Sequence, residues 1–126
     1  LKDVSKTLVY RLARFRNSIG AGKTVIPAEV IDRAPSAELA PGQVDQDSLP
    51  DYDTLDEILE LYVEQDQSAK AIMNKGYTEA DVKRVLRLVD LNEYKRRQSP
   101  VGLRLTQRGF GRDRRYPITN GWPLGE

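Results

Sequence analysis

The sequence predicts a mostly α-helical chain of four or five helices joined by long loops, and three observations carry that expectation. Apolar residues recur at helical spacing in successive segments. Ser, Thr and Asp stand at the starts of those segments, with Gly or Pro at their ends. Strand signals are few. At 126 residues the chain is the size of one domain and can bury a moderate core.

In chain order, Leu8, Leu12, Phe15 and Ile19 share one face of a helix over about 3–19. Asp3 or Ser5 is expected to cap it, because a short side-chain oxygen can accept from the free N–H groups of the first turn. Gly20 and Gly22 are expected to end it. Lys6 then falls in the first turn, where a cation opposes the helix dipole. It is either solvated or a phosphate contact beside a helix N-terminus. Pro27 suits the first position of a single helical turn running through Ile31.

Residues 35–53 carry Pro, Gly, Asp and Ser punctuation without a low-complexity repeat. They read as a specific loop of the length often used to bind or cover a ligand. Asp53 or Thr54 is expected to cap the next long helix, with Leu55, Ile58, Leu59, Tyr62 and Val63 as its apolar stripe. Ser68 starts a short helix through Met73 that Gly76 closes. Thr78 and Asp81 resemble a capping box ahead of the stripe Val82, Val85, Leu86 and Val89. That helix is expected to continue through Arg97 until Ser99-Pro100 stops it. The tail, residues 95–122, has little periodicity beyond the helix end and reads as extended or coil.

The formal net charge of +1 hides a strong pattern. Residues 36–66 hold ten Asp or Glu and no Lys or Arg, whereas residues 1–35 hold seven basic against three acidic and residues 67–126 thirteen against six. Such runs are solvated faces in one reading. In the other, two basic arms close on a phosphate-bearing ligand while carboxylates hold a divalent cation or polar ligand groups. The cations Lys95, Arg96 and Arg97 stand at a helix C-terminus, where they either complement the dipole or bind a ligand.

Cysteine and histidine are both absent. This excludes disulfides, Cys and His metal sites, Cys nucleophiles and His-based triads. Any chemistry falls to carboxylates, Lys, Arg, Ser, Thr, Tyr or backbone groups. Lack of cysteine is compatible with a cytoplasmic protein. No stretch approaches the roughly 18 apolar residues of a membrane span, and no signal-peptide pattern is found. The opening on Leu1, with a helical pattern close behind, is read as a piece of a longer protein.

Five collinear motifs are specific together: Lys6-Thr7 before an arginine-rich helix; Pro35-Ser36-Ala37-Glu38-Leu39; Asp47-Ser48-Leu49-Pro50-Asp51-Tyr52-Asp53; Glu93-Tyr94-Lys95-Arg96-Arg97-Gln98; and the run from Phe110 to Asn120. In this order they resemble the NAD synthetase family, most nearly the C-terminal part of the synthetase domain in its glutamine-dependent members. The resemblance covers residues 1–126. It implies a parallel-sheet α/β ATP-pyrophosphatase domain, to which this chain would supply outer helices and a covering loop.

The implied reaction is ATP-dependent amidation of deamido-NAD. The nicotinate carboxylate attacks the α-phosphate, pyrophosphate leaves, and ammonia drawn from glutamine displaces AMP from the acyl-adenylate. ATP and Mg2+ are therefore the expected cofactors. The expected partners are the remainder of the synthetase, a glutaminase domain and at least one further copy of the enzyme, with no nucleic acid and no membrane. By resemblance, Lys6 approaches the ATP phosphates, Ser36 and Glu38 belong to the loop that folds over the reaction centre, and Lys95 with Arg96 contacts deamido-NAD. No residue is assigned a strictly catalytic role, and the metal ligands stay unassigned.

The family's Ser-Gly-Gly-x-Asp-Ser loop for pyrophosphate does not occur in these residues, nor does a Cys, Glu and Lys glutaminase constellation. The chain alone is therefore expected to be inactive. Two readings from other classes stand beside this one. The tail from Lys95 to Arg115, with Phe110 and Tyr116 among its cations, resembles a nucleic-acid-binding strip, although the acidic middle repels a polyanion. Alternatively, the chain is a helical interaction domain whose acidic loop docks a basic partner. Arg112, Arg114 and Arg115 are as suited to a structural or intersubunit role as to ligand binding.

Overall fold

The computed structural model describes residues 3–20, 22–36, 40–109 and 113–122. Six α-helices and no β-strand occur among them: α1 (Lys6–Ser18), α2 (Ala28–Asp32), α3 (Tyr52–Leu59), α4 (Ala69–Met73), α5 (Glu79–Leu91) and α6 (Glu93–Gln98). A 3-10 turn, Asp45–Asp47, interrupts the long acidic loop, and α3 runs on into a wider π-turn, Glu60–Glu64. The mostly helical expectation holds, with one helix more than expected. No helix among the described residues is long and apolar enough to cross a membrane.

Local chemistry explains most of the boundaries. Ser5 accepts from Leu8 N–H at 3.3 Å, Ser68 from Ala71 N–H at 3.3 Å and Thr78 from Asp81 N–H at 3.1 Å. Each satisfies one of the orphan donors of a first turn. At α3 the cap is Asp51, not Asp53 or Thr54, because the Asp51 carboxylate reaches both the backbone N–H and the hydroxyl of Thr54 at 2.9 Å. Gly20 ends α1 where the chain folds back so tightly that a Cβ there would lie 2.5 Å from the Lys23 carbonyl. Gly76 closes α4 at φ 107°, a conformation costly for any residue with a side chain.

Of the two residues expected to cap α1, Ser5 does so, while the helix expected after Thr78 is corrected. Asp3 does not cap α1; its carboxylate accepts from Leu105 N–H, Thr106 N–H and the Thr106 hydroxyl at 2.6–2.8 Å, tying the tail to the chain start. The single helix expected from Thr78 to Arg97 is two helices. Asn92, at φ −98° and ψ 16°, leaves helical geometry, and its side-chain amide donates 2.8 Å to the Leu88 carbonyl. An asparagine that bonds backward in this way competes with the helical ladder.

The core lies between α3, α4 and α5. Ile58, Leu61, Ile72, Val82, Val85 and Leu86 are buried together, flanked by Leu55, Leu59, Tyr62, Met73 and Tyr77. The stripes read from the sequence supply these residues. The stripe of α1 behaves differently: Leu12, Phe15 and Ile19 remain 45–59% exposed. α1 packs against α3, where Asp56 Oδ2 accepts from Thr7 N–H at 2.8 Å. No described part of the chain covers its apolar face.

Candidate functional site

The candidate site is built from two helix ends, and the first is the start of α1. Lys6 occupies the first helical position, and its Nζ lies 5.8 Å from the centroid of Tyr10 and 5.6 Å from that of Tyr52, within reach of both ring quadrupoles. The Tyr52 hydroxyl donates to the Asp45 carboxylate. Burial first, then this hydrogen bond and the Asp45 charge, push the Tyr52 hydroxyl well above the ordinary phenol range. Asp45 N–H in turn donates 2.9 Å to the Pro35 carbonyl, the residue before Ser36. The structure therefore brings Lys6 and the two ends of the acidic loop to one place. Glu38 lies outside the described residues.

The second helix end is the C-terminus of α6, and here adjacent residues divide. Lys95 is exposed, its Nζ 5.9 Å from the Tyr94 ring centroid. Arg96 turns inward. It donates to the Val89 carbonyl and, from Nε, 3.1 Å to the Glu93 carboxylate, and it stacks 5.4 Å from the Tyr116 centroid. Arg97 Nε donates to the other Glu93 oxygen at 2.7 Å. Glu93 is 1% exposed. Burial alone would raise its carboxyl, yet the bonds from Arg97 and Arg96 hold it below the usual glutamate range. α6 packs on α5, α5 on α3 and α3 on α1, which places two helices between those that carry Lys95 and Lys6.

Most of the tail's charge is spent on the fold. Arg114 is the hub. Its Nη1 donates to the Tyr62 carbonyl at 2.9 Å and the Val63 carbonyl at 3.3 Å, and it pairs with Asp66 at 3.0 Å. Its Nε donates 2.6 Å to the Tyr116 hydroxyl, and the guanidinium stacks 4.4 Å from the Tyr62 centroid. The π-turn after α3 makes this possible: its wide pitch turns late carbonyls away from the helical ladder, and a planar cation receives them. Arg108 Nη1 joins Asp66 at 2.8 Å, and Arg104 pairs with Asp113 at 3.4 Å. A cavity of about 460 Å³ between these groups is lined by Asp66, Gln107, Arg108, Asp113 and Arg114. Arg112 lies outside the described residues.

The Arg114 hub escaped the sequence because its partners stand 48–52 residues away. The one local signal is Asp66, which adopts φ 57°, a left-handed conformation that asparagine and aspartate tolerate best. Arg114→Ala is expected to free the tail, so that trypsin cuts after Arg108 and Arg115 several-fold faster while the α3–α5 core stays folded. Raised salt should have a smaller effect. It screens the exposed Asp66 pairs but leaves the bonds from Arg114 to the two carbonyls. Cleavage at the wild-type rate would show that Arg114 does not hold the tail.

Fold and site together define a helical segment that presents one lysine at a helix start and another at a helix end while its arginines tie the tail down. The chain belongs to the NAD synthase family, whose profile matches residues 1–99. It is 57% identical to the glutamine-dependent NAD(+) synthetase of Acinetobacter baylyi over 122 residues, 97% of this chain and 22% of that protein. It is 49% identical to the enzyme of the same name from Aquifex aeolicus over 120 residues, 95% of this chain and 21% of that protein. The solved glutamine-dependent NAD+ synthetase of Acinetobacter baumannii, in complex with adenosine diphosphate, covers the whole chain at a TM-score of 0.58 and 48% identity, with 21% of its own length matched. The chain thus spans about a fifth of the length of these relatives. The nucleic-acid reading of the tail finds no support in them, and Arg104, Arg108 and Arg114 of the tail are engaged within the chain.

Proposed function

We propose that this chain is the C-terminal part of the synthetase domain of a cytoplasmic, glutamine-dependent NAD synthetase. There it helps convert deamido-NAD to NAD with ATP and ammonia through an acyl-adenylate. The observation that carries the reading is 57% identity over 97% of the chain to a glutamine-dependent NAD(+) synthetase. The exposed stripe of α1 supports the reading that these helices lie against an α/β parallel-sheet domain, since a contiguous apolar face is normally covered. A glutaminase domain and a second copy of the enzyme complete the proposed assembly.

In this reading Lys6 approaches the ATP phosphates and Lys95 the deamido-NAD, while Ser36 and Glu38 belong to the loop over the reaction centre. A cation that meets charge developing in the transition state lowers the barrier without reorganising. Arg96 keeps its place in the substrate site only as the neighbour that locks α6, because its own guanidinium is bonded to Glu93 and Val89. Magnesium, when bound, would neutralise charge on the phosphates. Among the described residues no three carboxylates gather to hold a metal.

The test is the formation of NAD from deamido-NAD, ATP and ammonia. The 126-residue chain alone is expected to show none, and turnover by it would overturn the proposed division of labour. In a complete synthetase carrying these residues, Lys95→Ala is expected to raise the KM for deamido-NAD about tenfold to a hundredfold. That is the effect of losing one charged hydrogen bond. An unchanged KM removes Lys95 from the substrate site.

A further inference from the structure

Tyr52 opens α3 and stands where three elements meet. Its ring faces Lys6 Nζ, its hydroxyl holds Asp45, and Asp45 N–H holds the Pro35 carbonyl. One turn further along α3, Asp56 accepts from Thr7 N–H at 2.8 Å, which sets the first turn of α1 against the second turn of α3. Tyr10 stands 5.8 Å from the same ammonium.

A lysine at the first position of a helix meets the positive end of the dipole, and its four-carbon stem is flexible. A ring face orients an ammonium without neutralising it, whereas a carboxylate would consume the charge that a phosphate needs. We infer that Tyr52 is a positioning residue: its ring aims the Lys6 ammonium, and its hydroxyl couples that lysine to the acidic loop through Asp45. The inference rests on the proposed assignment of Lys6 to the ATP phosphates. Burial and the Asp45 carboxylate raise the Tyr52 hydroxyl above its usual range, so it stays a donor throughout neutral pH.

Two substitutions separate the two jobs. Tyr52→Phe keeps the ring and removes the hydroxyl, whereas Tyr52→Leu removes the ring as well. In NMR spectra of the full 126-residue chain, Tyr52→Phe should leave the Lys6 ε-methylene resonances at their wild-type positions. It should also speed amide exchange at Asp45 about tenfold, as one lost hydrogen bond of ordinary strength does. Tyr52→Leu should in addition move the Lys6 resonances downfield, out of the shielding cone of the ring. The methyl resonances of Ile72 and Val85, inside the core, report that the fold is intact.

In a complete synthetase carrying these residues, Tyr52→Leu should raise the KM for ATP about tenfold with a smaller change in kcat, an expectation that matches a weakened charged contact. Tyr52→Phe, which keeps the ring, should raise the KM for ATP less than Tyr52→Leu does. Lys6 resonances that are the same in Tyr52→Leu and wild type overturn the positioning role, whatever the kinetics. Should Tyr52→Leu fail to fold, unchanged Asp45 exchange in Tyr52→Phe overturns the coupling to the loop. Displaced Lys6 resonances with an unchanged KM for ATP overturn instead the assignment of Lys6 to the phosphates.

Discussion

Replacing Glu93 with alanine is expected to destabilise the chain by about 3 kcal/mol, since removing one partner of a buried ion pair leaves the other charge uncompensated. Glu93 is 1% exposed and takes bonds from both Arg96 and Arg97. The two arginines do not suffer equally. Arg97, 50% exposed, can turn to water, but Arg96, 18% exposed, keeps its guanidinium against Tyr116 and the Val89 carbonyl. The expected loss therefore sits at the low end for a buried pair. Urea unfolding followed by circular dichroism would measure it, and a loss under about 1 kcal/mol, the scale of an exposed pair, would show that the cluster is not structural.

The same pair makes a pH prediction with a definite sign. The folded-state carboxyl of Glu93 is held below its ordinary value of 4.5. The unfolded chain therefore binds the proton first, and the pair's stabilisation is fully present above that value. It is lost as pH falls through the lower, folded value. Asp90, also buried, runs the other way: its own burial outweighs Arg87, Arg96 and Arg114 and raises its carboxyl. Glu93→Gln should flatten the acid limb of the stability curve, and a wild-type limb of unchanged steepness in that variant would refute the linkage.

Replacing Lys6 with alanine is expected to lower kcat/KM for ATP about a hundredfold in a complete synthetase, the usual cost of removing one group that meets transition-state charge. Folding should hardly change. Taking a cation out of a first turn relieves about 0.3–1 kcal/mol of dipole conflict, while losing the contacts with Tyr10 and Tyr52 costs about 1 kcal/mol at this half-buried position. The two nearly cancel, so an activity loss with an unchanged unfolding midpoint would be a functional effect. Lys6→Arg should recover only part of the rate, because the planar fork cannot occupy the place of a compact ammonium between two rings. Wild-type kcat/KM in Lys6→Ala would remove this residue from the ATP site.

Much of the fold was legible because its causes are local. A stripe such as Val82, Val85, Leu86 and Val89 needs only helical geometry to form one face, and a cap such as Thr78 needs only the next three residues. The failures were of range or of competition. Asp51 won the α3 cap from Asp53 because it alone reaches both groups of Thr54. Asn92 broke a helix whose apolar pattern ran through it. Asn17, unmarked in the sequence, pins residues 25 and 26 to α1 by accepting from both of their N–H groups.

The candidate site divides along the same line. That Lys6 starts one helix and Lys95 ends another follows from spacing and caps alone, whereas the family resemblance rests on the five motifs in their order. Which cations remain outward did not follow. Lys95 and Arg96 are neighbours of like charge, and only the packing of α6 on α5 sent one to solvent and the other onto Glu93. Composition and periodicity act over a few residues and therefore determined the helices and the order of the charges. The pairing of Arg114 with carbonyls about fifty positions earlier, and of Tyr52 with both Lys6 and Asp45, depended on chain closure. No local pattern encodes which distant groups closure brings together, because that depends on how all the helices pack at once.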